Sequence, residues 1–252
     1  MLSADSAATP EVTLPALACV AKVTACPSGW GRLSRYHAAV LVACGPVKKD
    51  NFLHSMYAQP FLVQGLLGPS RGIALGQYRP LTIKQDGERV RNPKFDQHSQ
   101  HILNIKDPSK GWFKGSVQYC SNLVIAHATT MAGFARAQII IVPSSEKGKV
   151  SQGLERIARN LCSADNRFVY TPGALVRTKT IDKLARGGDR SLHIHLESLE
   201  YKRRDQEIRT KIVFDDVCTS SHSLSGAISV MQQVLLDQVE AHALVLGRTT
   251  RD

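Results

Sequence analysis

Lys211-Ile-Val-Phe-Asp-Asp-Val-Cys-Thr-Ser-Ser-His-Ser223 decides how this chain is built. Ile212, Val213 and Phe214 form a short unbroken apolar run, the pattern of a central parallel strand covered on both faces. Asp215 and Asp216 follow at its carboxyl end, where open α/β sheets receive ligands. Leu224, Ala227, Ile228, Met231, Val234 and Leu235 then recur at spacings of three and four, which predicts an amphipathic helix from about Ser223. The turn in between ends on a helix amino terminus, with unpaired N–H groups and the positive end of a helix dipole. Thr219, Ser220, Ser221 and Ser223 add hydroxyl donors, so the turn suits one phosphate. The two carboxylates would repel that phosphate, but they accept hydrogen bonds from the vicinal hydroxyls of a ribose and attract a divalent cation. A phosphorylated sugar is the ligand this chemistry implies. The competing readings are the acidic strand ends of receiver domains, those of other nucleotide-binding α/β proteins, and plain solvated polarity at a strand end.

An apolar strand, two acidic residues, two variable residues and a Thr/Ser turn leading into a helix resemble the signature of the phosphoribosyltransferase family. The resemblance implies an α/β fold of the phosphoribosyltransferase type, a Rossmann-like parallel sheet flanked by helices. It implies that Asp215 and Asp216 contact the ribose hydroxyls of phosphoribosyl pyrophosphate (PRPP) and act as the catalytic pair. Thr219, Ser220, Ser221, His222 and Ser223 would cradle its 5′-phosphate, with Mg²⁺ as cofactor. One residue departs from the pattern: Ser221 stands where the family usually carries Gly, which permits positive φ and close backbone approach to phosphate.

Gln138-Ile-Ile-Ile-Val-Pro-Ser-Ser-Glu-Lys-Gly-Lys149 reads as a second buried strand that stops at Pro143 and opens into a small-residue, basic loop. A helix-like run follows from Gly153 to Cys162. The Val-Pro-Ser-Ser character is similar to the branch related to the competence protein ComF. That likeness implies a pyrophosphate site at Ser144, Ser145 and Lys147, with Lys149 beside them. Hydroxyl, backbone and ammonium donors there suit a pyrophosphate leaving group; the alternative is a pair of solvated loop lysines. Further on, Leu175 to Arg190 is similar to a ComF-type insertion, which makes Arg177 and Arg190 candidates for a closing loop over a polyanion. The alternative is a mobile surface loop.

Leu192 to Leu196 alternates strictly, predicting a strand with His193, His195 and Glu197 on its polar face. Three such groups on one strand do not complete a coordination sphere, so no protein-held metal site is assigned. Val239 to Thr249 predicts a further strand, whose closing Arg248 and Thr249 match a terminal Arg-Thr pair of ComF-like chains. The resemblance covers about residues 117 to 252.

The chain has 252 residues and is 43% apolar, enough to bury a real core. It divides on sequence into residues 115–252, a phosphoribosyltransferase-like core, and residues 1–114, an extension or base-recognising hood. Within the latter, Tyr36 to Cys44 predicts a strand, Gly45-Pro46 and Gly68-Pro69 predict turns, and Leu81 to Val90 around Asp86-Gly87 predicts a hairpin. Val117 to Ala135 predicts a helix. Cys19, Cys26, Cys44, Cys120, Cys162 and Cys218 form no C-x-x-C pair and read as reduced. No run is long enough to span a membrane and the start lacks a secretory pattern, so a cytoplasmic protein is expected.

A formal net charge of +11 draws in polyanions. Lys48-Lys49, Arg89 to Arg91 with Lys94, and Lys202 to Arg204 are the basic patches. The expected partner is PRPP or a related sugar phosphate, with a nucleic acid on the basic surface and a second copy of the chain as further candidates. The expected function is transfer of a phosphoribosyl group to a nitrogenous base or amine with release of pyrophosphate, a glycosyltransferase reaction. The alternative is a non-catalytic PRPP-sensing or nucleic-acid-binding module related to ComF-type DNA-uptake proteins.

Overall fold

A computed structural model of the chain describes residues 58–133, 135–182, 191–202, 207–236 and 239–249. The two apolar runs singled out above are its central strands, β5 (Ala137–Ile141) and β9 (Thr210–Cys218). They lie parallel and in register, with Ile139 opposite Ile212 and Ile141 opposite Phe214. Beyond β5 lies β6 (Phe168–Tyr170), and beyond β9 lies β10 (Glu240–Arg248), both parallel to their neighbours. The sheet continues past β10 with β2 (Gly68–Ala74), again parallel, and is closed by β1 (Gln59–Gly65), which pairs with β2 antiparallel. Its order is β1-β2-β10-β9-β5-β6. The chain is therefore α/β with a mostly parallel central sheet flanked by helices.

Strand alternation divides the core in two. Ile139, Ile141, Ile212, Phe214, Leu244 and Leu246 point to one face. There they meet α1 (Gln97–Asn104), α2 (Phe113–Ala132) and α3 (Gln152–Ala164), which contribute Ile102, Phe113, Val117, Leu154 and Ile157 among others. Ile140, Val213, Ala243 and Val245 point to the other face, where α5 (His222–Leu235) lays down Leu224, Ala227, Ile228 and Met231. Local chemistry sets the helix starts. Asp96 caps α1 by accepting from the Ser99 N–H, and Ser151 caps α3 by accepting from the Leu154 N–H.

β3 (Thr82–Gln85) and β4 (Glu88–Arg91) form the expected hairpin, with Asp86 and Gly87 both at positive φ (52° and 88°), as a two-residue turn of the primed type requires. β7 (Leu175–Arg177) pairs with β8 (Leu199–Tyr201) in a small antiparallel ribbon on the α5 side. Among the described residues no helix is long and apolar enough to cross a membrane.

Two sequence expectations are corrected. The stretch Leu192–Leu196 is no strand; it belongs to α4 (Leu192–Ser198). Its burial has a helical period, with His195 and Ser198 inside while His193 and Glu197 pair on the outside at 2.9 Å, one helical turn apart. Five alternating residues are too few to fix a period. What decides is docking on α5, where Gly226 offers no Cβ and His195 fills the space. The polar set therefore does not share a face. The second correction concerns the boundary at residue 114. β1 and β2 lie before it yet belong to the same sheet as β9, and α1 packs on the same core, so residues 59–114 are no separate hood. The strand expected at Tyr36 to Cys44, the Gly45-Pro46 turn and Lys48-Lys49 fall outside the described residues.

Candidate functional site

The sheet has a single switch point. From β5 the chain passes through α3 to β6 on one side, whereas β9, α5 and β10 build out on the other. In such sheets the loops leaving the two strands at the switch separate and leave a crevice at their carboxyl ends. Here those loops are Pro143 to Val150 and Thr219 to Ser221. Pairing of β5 with β9 ends at Ile141 and Phe214, followed by one further bond from the Val142 N–H to the Phe214 carbonyl at 2.9 Å. Pro143 has no N–H to continue the ladder, and the chain turns away. β10 stays with β9 as far as Arg248 opposite Cys218. Asp215 and Asp216 thus ride on a strand that keeps its β10 neighbour and has lost its β5 neighbour.

Both acids are half-buried, and they face different ways, since successive side chains of a strand alternate. Asp216 turns toward the α1 side, where the Lys106 ammonium lies 2.7 Å from its Oδ2. Asp215 turns toward α5, with Ser223 Oγ 3.5 Å from its Oδ2. Each also accepts a backbone N–H through Oδ1, Asp215 from Asp216 at 2.8 Å and Asp216 from Val217 at 2.7 Å. These bonds fix the side chains at the strand rim.

Sequence reasoning missed Lys106 and Tyr78. Lys106 follows the Ile105 cap of α1, in a stretch without a motif; only tertiary packing of that helix end brings it to Asp216. Burial works against its charge, but the Asp216 carboxylate outweighs this and holds the ammonium above the usual lysine range, helped by Tyr78 and Asp215. Tyr78 donates its backbone N–H to the Arg248 carbonyl at 2.9 Å. Burial raises its phenol, an effect eased by Lys106 and reinforced by Asp216.

The expected phosphate turn leads into α5 as the sequence implied. Thr219, Ser220 and His222 are exposed, Ser221 and Ser223 half-buried. Ser221 adopts the left-handed conformation, φ 58° and ψ 0°, at the very position where the family resemblance calls for Gly. Its hydroxyl donates to the Ser220 carbonyl at 2.7 Å. It makes no side-chain cap, so the first N–H groups of α5 have no side-chain acceptor at the cap position. Thr249 returns to this turn and donates its N–H to the Cys218 carbonyl at 3.0 Å, while the Arg248 guanidinium lies over the Phe61 ring.

Across the switch point, the loop after β5 is held from below. Ser144 donates its N–H to the Lys149 carbonyl, the Ser145 carbonyl accepts from the Ile181 N–H at 2.8 Å, and the Lys147 N–H reaches Thr180 Oγ1 at 3.0 Å. Gly148 takes φ 70° where the loop folds back. The Lys147 side chain is exposed, and the Lys149 ammonium pairs with Glu146.

Arg177 is corrected. It is 3% exposed, sits in β7, and donates through Nε to the Ser144 carbonyl at 2.6 Å and through a terminal nitrogen to Ser198 Oγ at 2.5 Å. A guanidinium so fixed is a strut beneath the Ser144 loop and not part of a closing flap. Arg190 lies outside the described residues.

The resemblance implies a Mg²⁺ that bridges pyrophosphate and ribose oxygens of the ligand, and at Asp216 itself the carboxylate Oδ2 is paired with the Lys106 ammonium. Among the described residues no group of three or more His, Cys, Asp or Glu is arranged to hold a metal ion. A surface groove lined by Leu67, Arg71, Gln232, Glu240 and His242 lies at the amino ends of β2 and β10, the opposite end of the sheet from the acids, and shares no residue with the site built above. No family model matches this chain, and no curated protein matches it at a significant level.

Proposed function

We propose that this chain is a phosphoribosyltransferase-like protein that binds PRPP and transfers its phosphoribosyl group to a nitrogen nucleophile. The observation that carries this reading is the shared location of two loops at one sheet switch point. One is an acid-ended strand running into an α5 start without a side-chain cap, and the other is a small-residue loop with an exposed Lys147. In the proposed reaction the bond from C1′ to the pyrophosphate oxygen breaks with its electron pair on oxygen, C1′–N forms, and the nucleophile's proton passes to solvent. Asp215 accepts from a ribose hydroxyl and stabilises the positive charge that develops at C1′. Thr219 to Ser223 hold the 5′-phosphate through backbone and hydroxyl donors. Ser144, Ser145 and Lys147 receive the pyrophosphate. Rate enhancement then rests on positioning and on stabilising the departing charge.

Titration with PRPP, paired with an assay of pyrophosphate release over a panel of bases, tests this. Wild type is expected to bind, and Asp215→Asn to bind at least about tenfold more weakly, the loss of a charge-assisted bond of about 1.5–3 kcal/mol. Absence of PRPP binding sinks the proposal.

A second reading, a non-catalytic PRPP sensor or nucleic-acid-binding module, is favoured by two observations. Asp216 is already neutralised by Lys106. Trp112 is 74% exposed between Lys110 and Lys114, a local pairing of aromatic surface and charge that suits a nucleic-acid strand. PRPP binding without pyrophosphate release selects the sensor. Salt-steep nucleic-acid binding that Trp112→Ala abolishes selects the strand binder.

A further inference from the structure

The acid pair carries its own cation. Lys106 Nζ stands 2.7 Å from Asp216 Oδ2, and the lysine side chain is 44% exposed against 21% for the acid. The ammonium charge also interacts with Tyr78 and with Asp215 on the far side of the strand. This position is not accidental to one flexible side chain. Lys106 directly follows Ile105, whose carbonyl is packed against Gly153 at the start of α3, and Ile105 itself is buried in the core. The lysine backbone is therefore anchored between two helices while its amine reaches β9.

A divalent ion bridging an acid of this pair to a ligand oxygen must coordinate the carboxylate directly. With the ammonium in place it would have to bring two further positive charges beside an existing one, and at such separations that repulsion is substantial even in a well-screened setting. We propose that the Lys106 ammonium stands in for a divalent cation at Asp216, so that this acid and Lys106 together recognise a ligand's hydroxyl and anionic oxygens without a protein-held metal. This rests on the sugar-phosphate reading of the site for the ligand's identity, but the claim about the cation does not. Lys106 then acts as a binding residue with a built-in fixed charge. Metal ions enter as companions of a polyphosphate ligand and not as ligands of Asp216.

Mn²⁺ alone, followed by electron paramagnetic resonance, is the probe. In wild type, Asp216→Asn is expected to leave Mn²⁺ binding unchanged. Lys106→Met is expected to bind Mn²⁺ measurably more tightly than wild type, through Asp216 and bound water, and the Lys106→Met/Asp216→Asn double variant to lose that gain. Lys106→Gln, which keeps much of the side-chain length, serves if the Met variant fails to fold by circular dichroism. A wild-type Mn²⁺ site that Asp216→Asn removes, or Lys106 variants that bind Mn²⁺ no more tightly than wild type, overturns the inference. Ribose 5-phosphate separates this outcome from failure of the functional reading. Wild type should bind it equally in Mg²⁺ and in chelator, whereas Lys106→Met should bind it only in Mg²⁺. Wild-type binding that requires Mg²⁺ overturns the inference, while ribose 5-phosphate that binds no variant defeats the phosphoribosyl reading and leaves the Mn²⁺ comparison to decide the role of Lys106.

Discussion

Gly153 packs its Cα against the carbonyl of Ile105 so closely that no Cβ fits between them. The first turn of α3 and the end of α1 are locked together at this point, one residue before Lys106. Gly153→Ala has two opposed effects: alanine favours the helix interior by about 1 kcal/mol over glycine, and the new methyl must push backbone aside, which costs about 1–3 kcal/mol. Backbone cannot swing away as a side chain can, so the clash wins. Urea denaturation should show a lower midpoint, and a midpoint that rises would show the two helix ends to be more loosely joined than described.

Arg177 spans a buried gap between the Ser144 carbonyl and Ser198 Oγ. Removing it in Arg177→Met leaves both acceptors without that donor and should cost about 2–4 kcal/mol, with earlier protease cleavage in residues 143–149. Arg177→Lys should rescue little, because one ammonium cannot reproduce a planar fork that bonds in two directions. Full rescue by lysine would reduce the role to charge alone.

Ser221 adopts a left-handed backbone at about 1–2 kcal/mol above its ordinary conformations. Glycine removes that strain but gains freedom in the unfolded chain and loses the hydroxyl bond to Ser220, so Ser221→Gly should leave stability within about 1 kcal/mol of wild type. Ser221→Val should lose about 1–3 kcal/mol, since branching at Cβ makes this conformation a true outlier. Equal melting of the glycine and valine variants would mean the turn relaxes out of the left-handed region.

Burial disfavours the charged form of His98. Burial lowers its pKa, partly offset by the Leu246 carbonyl and by Asp96, and burial likewise lowers that of His101, which stacks on Tyr119. With folded pKa values below the unfolded one, the unfolded chain binds protons first as the pH drops. Stability is therefore complete above about pH 6.5 and declines as the pH falls through that value toward the folded pKa. Melting temperatures across this window should fall on the acid side, and His98→Gln should flatten part of the slope. A profile that is level through it would rule out buried neutral histidines as the cause.

The central strands were legible because full burial writes itself as continuous apolar runs: Ile139 to Val142 and Ile212 to Phe214 face helices on both sides. The Asp86-Gly87 turn and the α5 periodicity carry equally local signals. β2 does not. Gly68-Pro-Ser-Arg-Gly-Ile-Ala74 has little strand propensity, and it joins the sheet through tertiary fit, with Gly72 making room for the Phe61 ring across the ladder. The α4 segment shows the converse, a strand-like pattern overruled by docking of His195 on Gly226. In the candidate site, the acids and the turn could be read because they are contiguous. Lys106 could not, because nothing in its neighbours along the chain refers to Asp216.

The outward divergence of Asp215 and Asp216 gives the rim of β9 a mechanical character. One carboxylate belongs to the layer of α1 and the other to the layer of α5. A molecule that touches both must bestride the strand like a saddle, and in doing so it staples together two helical layers that flank opposite faces of the sheet. Occupancy would then be felt as stiffening throughout the molecule, detectable by slowed amide exchange in α1 and α5 alike.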